Sequence, residues 1–144
     1  MSYFVVDVES DGPSPALHSM VCFGAVKVAD LSKTFYGETA PINPTWDPDA
    51  LAISGFYRED HLKFPHPQIV MEEFYHWVIE NNTKSRPVFV SDNPAYDWQW
   101  INYYFHRYLG TNPFGYSARR IGDLYCGLER NAYAKWKHLR ITDH

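Results

Sequence analysis

Val5-Val-Asp-Val-Glu-Ser-Asp-Gly12, preceded by Tyr3-Phe4 and followed by Pro13, is the stretch on which the fold turns. It is short, apolar and β-branched, and it runs into Ser10-Asp11-Gly12-Pro13. It therefore reads as a central strand followed by a turn. Asp7 and Glu9 stand two apart on that strand, so they project from one face with Cα atoms roughly 6–7 Å apart. Two carboxylates on one face of an apolar strand are costly to bury unless something positive sits between them. Hard divalent cations such as Mg2+ prefer carboxylate oxygens and meet that need. A strand end whose last acids simply reach solvent also accounts for the pair.

Further along, Val88-Phe-Val-Ser-Asp-Asn-Pro-Ala-Tyr-Asp-Trp98 reads as a buried strand running into a helix, with Asp97 in the first helical turn. A carboxylate there gains from the positive end of the helix dipole, with or without a metal. A strand carrying D-x-E and a strand–helix junction carrying N-x-x-x-D form a more specific pair than either alone. Around them, residues 20–28 and 34–42 read as two strands joined through 29–32 as an antiparallel hairpin. A proline-rich stretch and a short helical segment at 50–53 follow. Apolar residues Ile69, Val70, Phe74, Trp77 and Val78 give helical spacing over 67–81. Residues 87–91 read as a strand, and 96–109 and 122–130 as helices. The order predicts an α/β fold: a mixed sheet flanked by helices.

With 144 residues, 45% hydrophobic and 21% charged, the chain has the usage of one ordinary globular domain, which excludes disordered and fibrous classes. No run approaches the ~18 apolar residues of a membrane span, and the N-terminus lacks the basic and apolar regions of a signal peptide. A cytoplasmic protein with two reduced thiols, Cys22 and Cys126, is expected. The net charge of −4 is unevenly spread. Residues 1–100 carry 6 Lys/Arg against 14 Asp/Glu, and residues 101–144 carry 7 against 3. Acids in one region and bases in another suit a site that holds cations and grips a polyanion, although scatter over a solvated surface gives the same numbers.

Val5–Gly12 resembles the first motif of the DEDD-type 3′→5′ exonucleases, a D-x-E followed by Ser/Thr and Gly. Ser91–Asp97 resembles the second, an Asn before an aromatic-Asp pair that opens a helix. Pro44, Ala52-Ile-Ser-Gly-Phe56, His66-Pro67 and Arg120-Ile-Gly-Asp-Leu124 are similar to connecting segments of the family, so the resemblance runs from residue 3 to about 130. Within it the chain looks most like the ribonuclease T-like exoribonucleases. The resemblance implies a ribonuclease H-like fold and two bound Mg2+ ions, with Mn2+ as a substitute. Asp7, Glu9 and Asp97 match metal-ligand and catalytic positions. Ser10 and Gly12 match the turn that approaches the terminal nucleotide, and Asn93 and Tyr96 flank the site. Asp92 fits the strand end better than a ligand position. Phe56, on a loop, is a candidate for stacking a terminal base, or else a loop anchor.

The family's third motif is a His with an Asp five residues later. His138-Leu-Arg-Ile-Thr-Asp143 has that separation, but Arg140 takes the usual small position and the following helix is lacking. Either His138 and Asp143 fill the two roles, or the motif lies past His144 and residues 1–144 are a single exonuclease domain truncated at its C-terminus. Trp98, Trp100, Tyr103, Tyr104, Phe105 and Tyr108 crowd one helix and are expected mostly to face the core. The aromatic fraction of 17% and the family's habit of pairing suggest a homodimer. Arg119, Arg120, Arg130, Lys135, Lys137 and Arg140 offer phosphate contacts, or a solvated basic surface. The expected function is a metal-dependent 3′→5′ exonuclease acting on single-stranded nucleic acid, RNA favoured over DNA. A binding domain of the same fold without cleavage, and a single-metal phosphoesterase on small nucleotides, are the alternatives.

Overall fold

The computed structural model describes residues 1–83 and 85–141. Its five-stranded sheet has β1 (Tyr3–Ser10) at the centre. On one side β1 pairs antiparallel with β2 (Met20–Lys27), and β2 pairs antiparallel with β3 (Asp30–Glu38). On the other side β1 pairs in parallel with β4 (Val88–Ser91), and β4 with β5 (Ala118–Arg120). The helices are α1 (Pro48–Ile53), α2 (Arg58–His61), α3 (Pro67–Asn81), α4 (Pro94–Leu109) and α5 (Ile121–Glu129), with a short 3-10 turn at Lys137–Leu139. The mixed sheet flanked by helices is the architecture expected from the sequence.

Alternation along β1 sets the two faces. Phe4, Val6, Val8 and Ser10 are buried, whereas Tyr3, Val5, Asp7 and Glu9 are at least partly open. The buried face meets Val70, Met71, Phe74 and Val78 of α3 and Trp100, Ile101, Tyr104 and Phe105 of α4 in one core. Both helices begin with a proline in the first turn, where its missing N–H costs nothing. Gly110 closes α4 with φ of 70°, a left-handed cap that favours glycine. Aromatic rings fill the core edge to face and stacked: Phe23 on Phe74 at 4.9 Å, Phe74 on Phe105 at 5.5 Å, Phe4 on Trp77 at 5.4 Å. Much of the aromatic excess is absorbed here.

The hairpin is shifted from its sequence-based position. β3 starts at Asp30, so the turn is tighter, and residues 39–42 lie outside the strand. α4 opens two residues early, at Pro94. Two elements carry no sequence signal: α2 is a single turn, and β5 is three residues long with two arginines at a sheet edge. Cys22 is buried and Cys126 half-buried, and neither is in a disulfide. Among the described residues no helix is long and apolar enough to cross a membrane.

Candidate active site

β1 and β4 pair only over Tyr3–Val5 and Val88–Val90. Past that point β4 gives way to α4, leaving the Val8 N–H without a strand partner on that side. Asp97, in the first turn of α4, supplies one: its Oδ1 accepts from Val8 N at 3.1 Å. The backbone need of β1 therefore brings the second carboxylate motif against the first. On the β2 side the register slips between Glu9 and Ser10, a bulge of the kind that re-aims side chains beside functional sites.

Asp7, Glu9 and Asp97 all line one cavity of about 550 Å³. Gly12, Pro13, Ile53, Asn93 and Tyr96 form further parts of its wall, together with Asp92 and Arg140. Asp7 is exposed and Glu9 half-buried, whereas Asp97 is 3% exposed. Burial, reinforced by the charge of Asp7, pushes the Asp97 carboxyl up to about 6 despite the Val8 hydrogen bond. Such crowding of carboxylates is relieved by a cation between them.

Ser10 lies beneath the cavity. Its buried Oγ donates to Gly12 O at 2.6 Å and also bonds the Tyr96 hydroxyl, so it fixes the wall from behind. Burial raises the Tyr96 hydroxyl, and Glu9, Asp97 and Asp7 add to this against the Ser10 bond. Tyr96 is therefore neutral at ordinary pH. Gly12 is required by a neighbour: a Cβ there would stand 2.1 Å from the His18 ring. Asn93 caps α4 through its carbonyl, which accepts from Tyr96 N at 2.9 Å and Asp97 N at 3.0 Å, leaving its exposed side chain at the cavity. Phe56 is placed elsewhere. It packs edge-on against Phe64 at 5.0 Å, beside Val21, Cys22 and Leu51, and lines a different cavity. This is the loop-anchor alternative, and Val8, Pro13, Ala50 and Ile53 supply the apolar wall of the acidic cavity.

Sequence reasoning missed three features. Asp92, at the end of β4, lines the cavity and accepts an ion pair from Arg140 at 2.7 Å. Asp47, which caps α1, reaches the same wall. Behind the turn after β1, fully buried Asp11 pairs with Arg58 at 2.8 Å and accepts from Ser19 N at 2.5 Å. His61 completes that cluster. Burial lowers its pKa, with Arg58 acting in the same direction and Asp11 opposing. The neutral ring accepts from Arg58 at Nδ1 (3.1 Å) and donates from Nε2 to Met20 O (3.3 Å). The S-D-G turn with Asp11, the proline-rich segment with Asp47 and the single turn with Arg58 and His61 look like ordinary loops in the sequence.

His138 sits in the 3-10 turn with its ring 6.3 Å from Tyr125 and does not line the cavity. Asp143, its partner in the sequence-based reading, lies outside the described residues. The carboxylate oxygens of Asp7, Glu9 and Asp97 are donors whose chemistry fits a hard divalent cation. Among the described residues no group of three His, Cys, Asp or Glu side chains is placed to hold a metal ion. The fit is thus one of donor type and charge.

No family model matches the chain. Cap18 of Escherichia coli, a 3′-5′ DNA exonuclease, is 36% identical over 140 residues, which is 96% of this chain and 73% of that protein. A zinc-bound E. coli ExoI–ssDNA complex superposes with a TM-score of 0.69 at 17% identity over 94% of this chain. Cell-death related nuclease 4 (CRN-4) superposes with a TM-score of 0.71 at 14% identity over 99% of this chain. The chain spans 31% and 51% of the length of these two solved chains, and the likeness to them is one of fold. The sheet order, the paired carboxylate motifs and the likeness to Cap18 agree: on a ribonuclease H-like fold, the chain belongs to the DEDD-type 3′→5′ exonuclease superfamily.

Proposed function

We propose that the chain is a metal-dependent exonuclease that hydrolyses the terminal phosphodiester of a single strand from its 3′ end. The observation that carries this reading is that Asp7, Glu9 and the buried Asp97 line one cavity. Asp7, Glu9 and Asp97 would hold the cation, Mg2+ or Mn2+. When bound, it supplies charge neutralisation at the phosphate and a lowered pKa for the attacking water. Burial raises the Asp97 carboxyl to about 6, and a bound cation would favour its ionised form. Arg140, the guanidinium on the cavity wall, offers a donor to a phosphate oxygen while Asp92 holds it from the side. Neutral Tyr96, braced by Ser10, and the amide of Asn93 border the space for the terminal sugar and base. The two-ion arrangement of the family calls for a fourth acid, and Asp143 is the candidate that the sequence offers.

The relative at 36% identity is named for DNA, so single-stranded DNA is proposed as the substrate, in place of the RNA expected from the sequence. That no three acids among the described residues are grouped to hold a metal ion favours a second reading: a binding domain that keeps the fold without cleavage. Titrating Mg2+ and then Mn2+ against nucleotide release from labelled single-stranded DNA and RNA, for wild type and Asp7→Ala, separates these readings. The expected result is metal-dependent release that is faster on DNA and lost in Asp7→Ala. Binding of both strands without release at any metal concentration would support the second reading.

A further inference from the structure

Beyond Asp92 lies a second cavity, of about 460 Å³, between α5 and the segment that follows it. It shares Asp92 with the acidic cavity. The divider between the two is a built feature. Arg140 lines the acidic cavity, pairs with Asp92 at 2.7 Å, and lies over the ring of Trp136, which lines the second cavity, at 4.8 Å. Lys137 reaches the same Asp92 oxygen at 3.5 Å, so that carboxylate is compensated from both sides. The backbone carbonyl of Asp92 also accepts from Arg120 Nε at 3.3 Å.

The lining is aromatic and carries a net positive charge. Arg120, Lys135 and Lys137 stand against Asp92 and Asp123, with Arg120 paired to Asp123 at 3.4 Å, and Tyr133 and Trp136 supply two rings. The segment that carries them is pinned. Asn131 caps it, accepting from Tyr133 N at 3.0 Å through Oδ1, and the Cys126 thiol donates to Ala134 O at 3.3 Å. Trp136 lies close over Gly122 of α5, where a Cβ would stand 3.6 Å from the ring. Tyr133 is nonetheless 90% exposed. A ring held on a fixed backbone beside lysines, with its face to solvent, is what a single strand uses: phosphates meet the cations and bases meet the rings.

We propose that this second cavity is a subsite for the nucleotides just upstream of the 3′ end. It would take a phosphodiester between Arg120, Lys135 and Lys137, and a base against Tyr133 and Trp136, with the strand passing over the Arg140–Asp92 pair. The direction of the strand rests on the exonuclease reading. The binding itself does not.

The test is anisotropy binding of fluorescein-labelled thymidine dinucleotide and hexanucleotide, with EDTA present so that nothing is cleaved. Wild type is compared with Tyr133→Ala and Lys135→Glu, two exposed side chains whose thermal melts report any loss of fold. In wild type the hexanucleotide binds about tenfold more tightly than the dinucleotide. Each variant weakens hexanucleotide binding by about tenfold and brings the ratio of the two Kd values towards one. Lys135→Glu also lowers the slope of log Kd against log salt by about one. A hexanucleotide bound no better than the dinucleotide, or variants that keep the wild-type ratio, would overturn the proposal. If length-dependent binding and its loss hold while wild type releases no nucleotide with Mg2+, the exonuclease reading falls and the subsite stands. If wild type cleaves and the ratio does not move, the subsite alone falls.

Discussion

Asp97 is the residue in which structure and chemistry meet. The same carboxyl that satisfies Val8 N is buried beside Asp7, and its pKa rises from 3.8 to about 6. The folded state therefore favours its protonated form. Stability falls as pH rises from about 4 to about 6 and is level above that, a penalty of roughly 2–3 kcal/mol at neutral pH. Asp97→Asn keeps an acceptor for Val8 and removes the charge. In metal-free buffer at pH 7 its Tm is expected to exceed that of wild type, and the two should converge near pH 4. Nucleotide release is expected to be lost at every pH. A calorimetric pH series together with a release assay checks both. A D97N protein that is less stable at pH 7, or one that still cleaves, contradicts this placement. Stability bought at the expense of activity is the pattern of a functional carboxylate.

At the scale of elements, the site depends on how the turn after β1 is held. α2 is one turn long, and its Arg58 reaches back to buried Asp11, two residues past Glu9. Arg58→Met leaves a carboxylate buried with no guanidinium beside it and is expected to lower stability by about 3 kcal/mol. Denaturant unfolding measures this, and a loss under 1 kcal/mol would mean that the pair does not brace the turn. The contrast with β1 and α4 shows what a sequence reveals. Alternation along β1 and the spacing of Trp100, Ile101, Tyr104 and Phe105 are periodic, so the strand, the helix and the carboxylates on them were legible. Asp11, Arg58 and His61 lie 47 and 3 residues apart in chain order, within loops and a single turn. No period joins them, and their contact is made only by the tertiary fold. β5 was hidden for a related reason: two arginines in three residues look like surface, and parallel pairing to β4 makes them a strand. Phe56 had a loop position that suited stacking, and Phe64 claimed its ring.

Across the whole molecule, the uneven charge read from the sequence takes a spatial form. Asp7, Glu9 and Asp97 collect in one cavity, Arg120, Lys135 and Lys137 with Asp123 in the next, and Asp92 with Arg140 marks the division. A single strand whose 3′ end enters the acidic cavity would have its upstream phosphates over the basic one. That arrangement requires polarity. The decisive measurement is the product ladder from a single-stranded DNA labelled at its 5′ end, incubated with the chain and Mg2+ and resolved at single-nucleotide steps. Progressive shortening of the labelled strand one nucleotide at a time is the expected result. Release of labelled mononucleotide at the earliest times, or scattered internal cuts with no ladder, would contradict it.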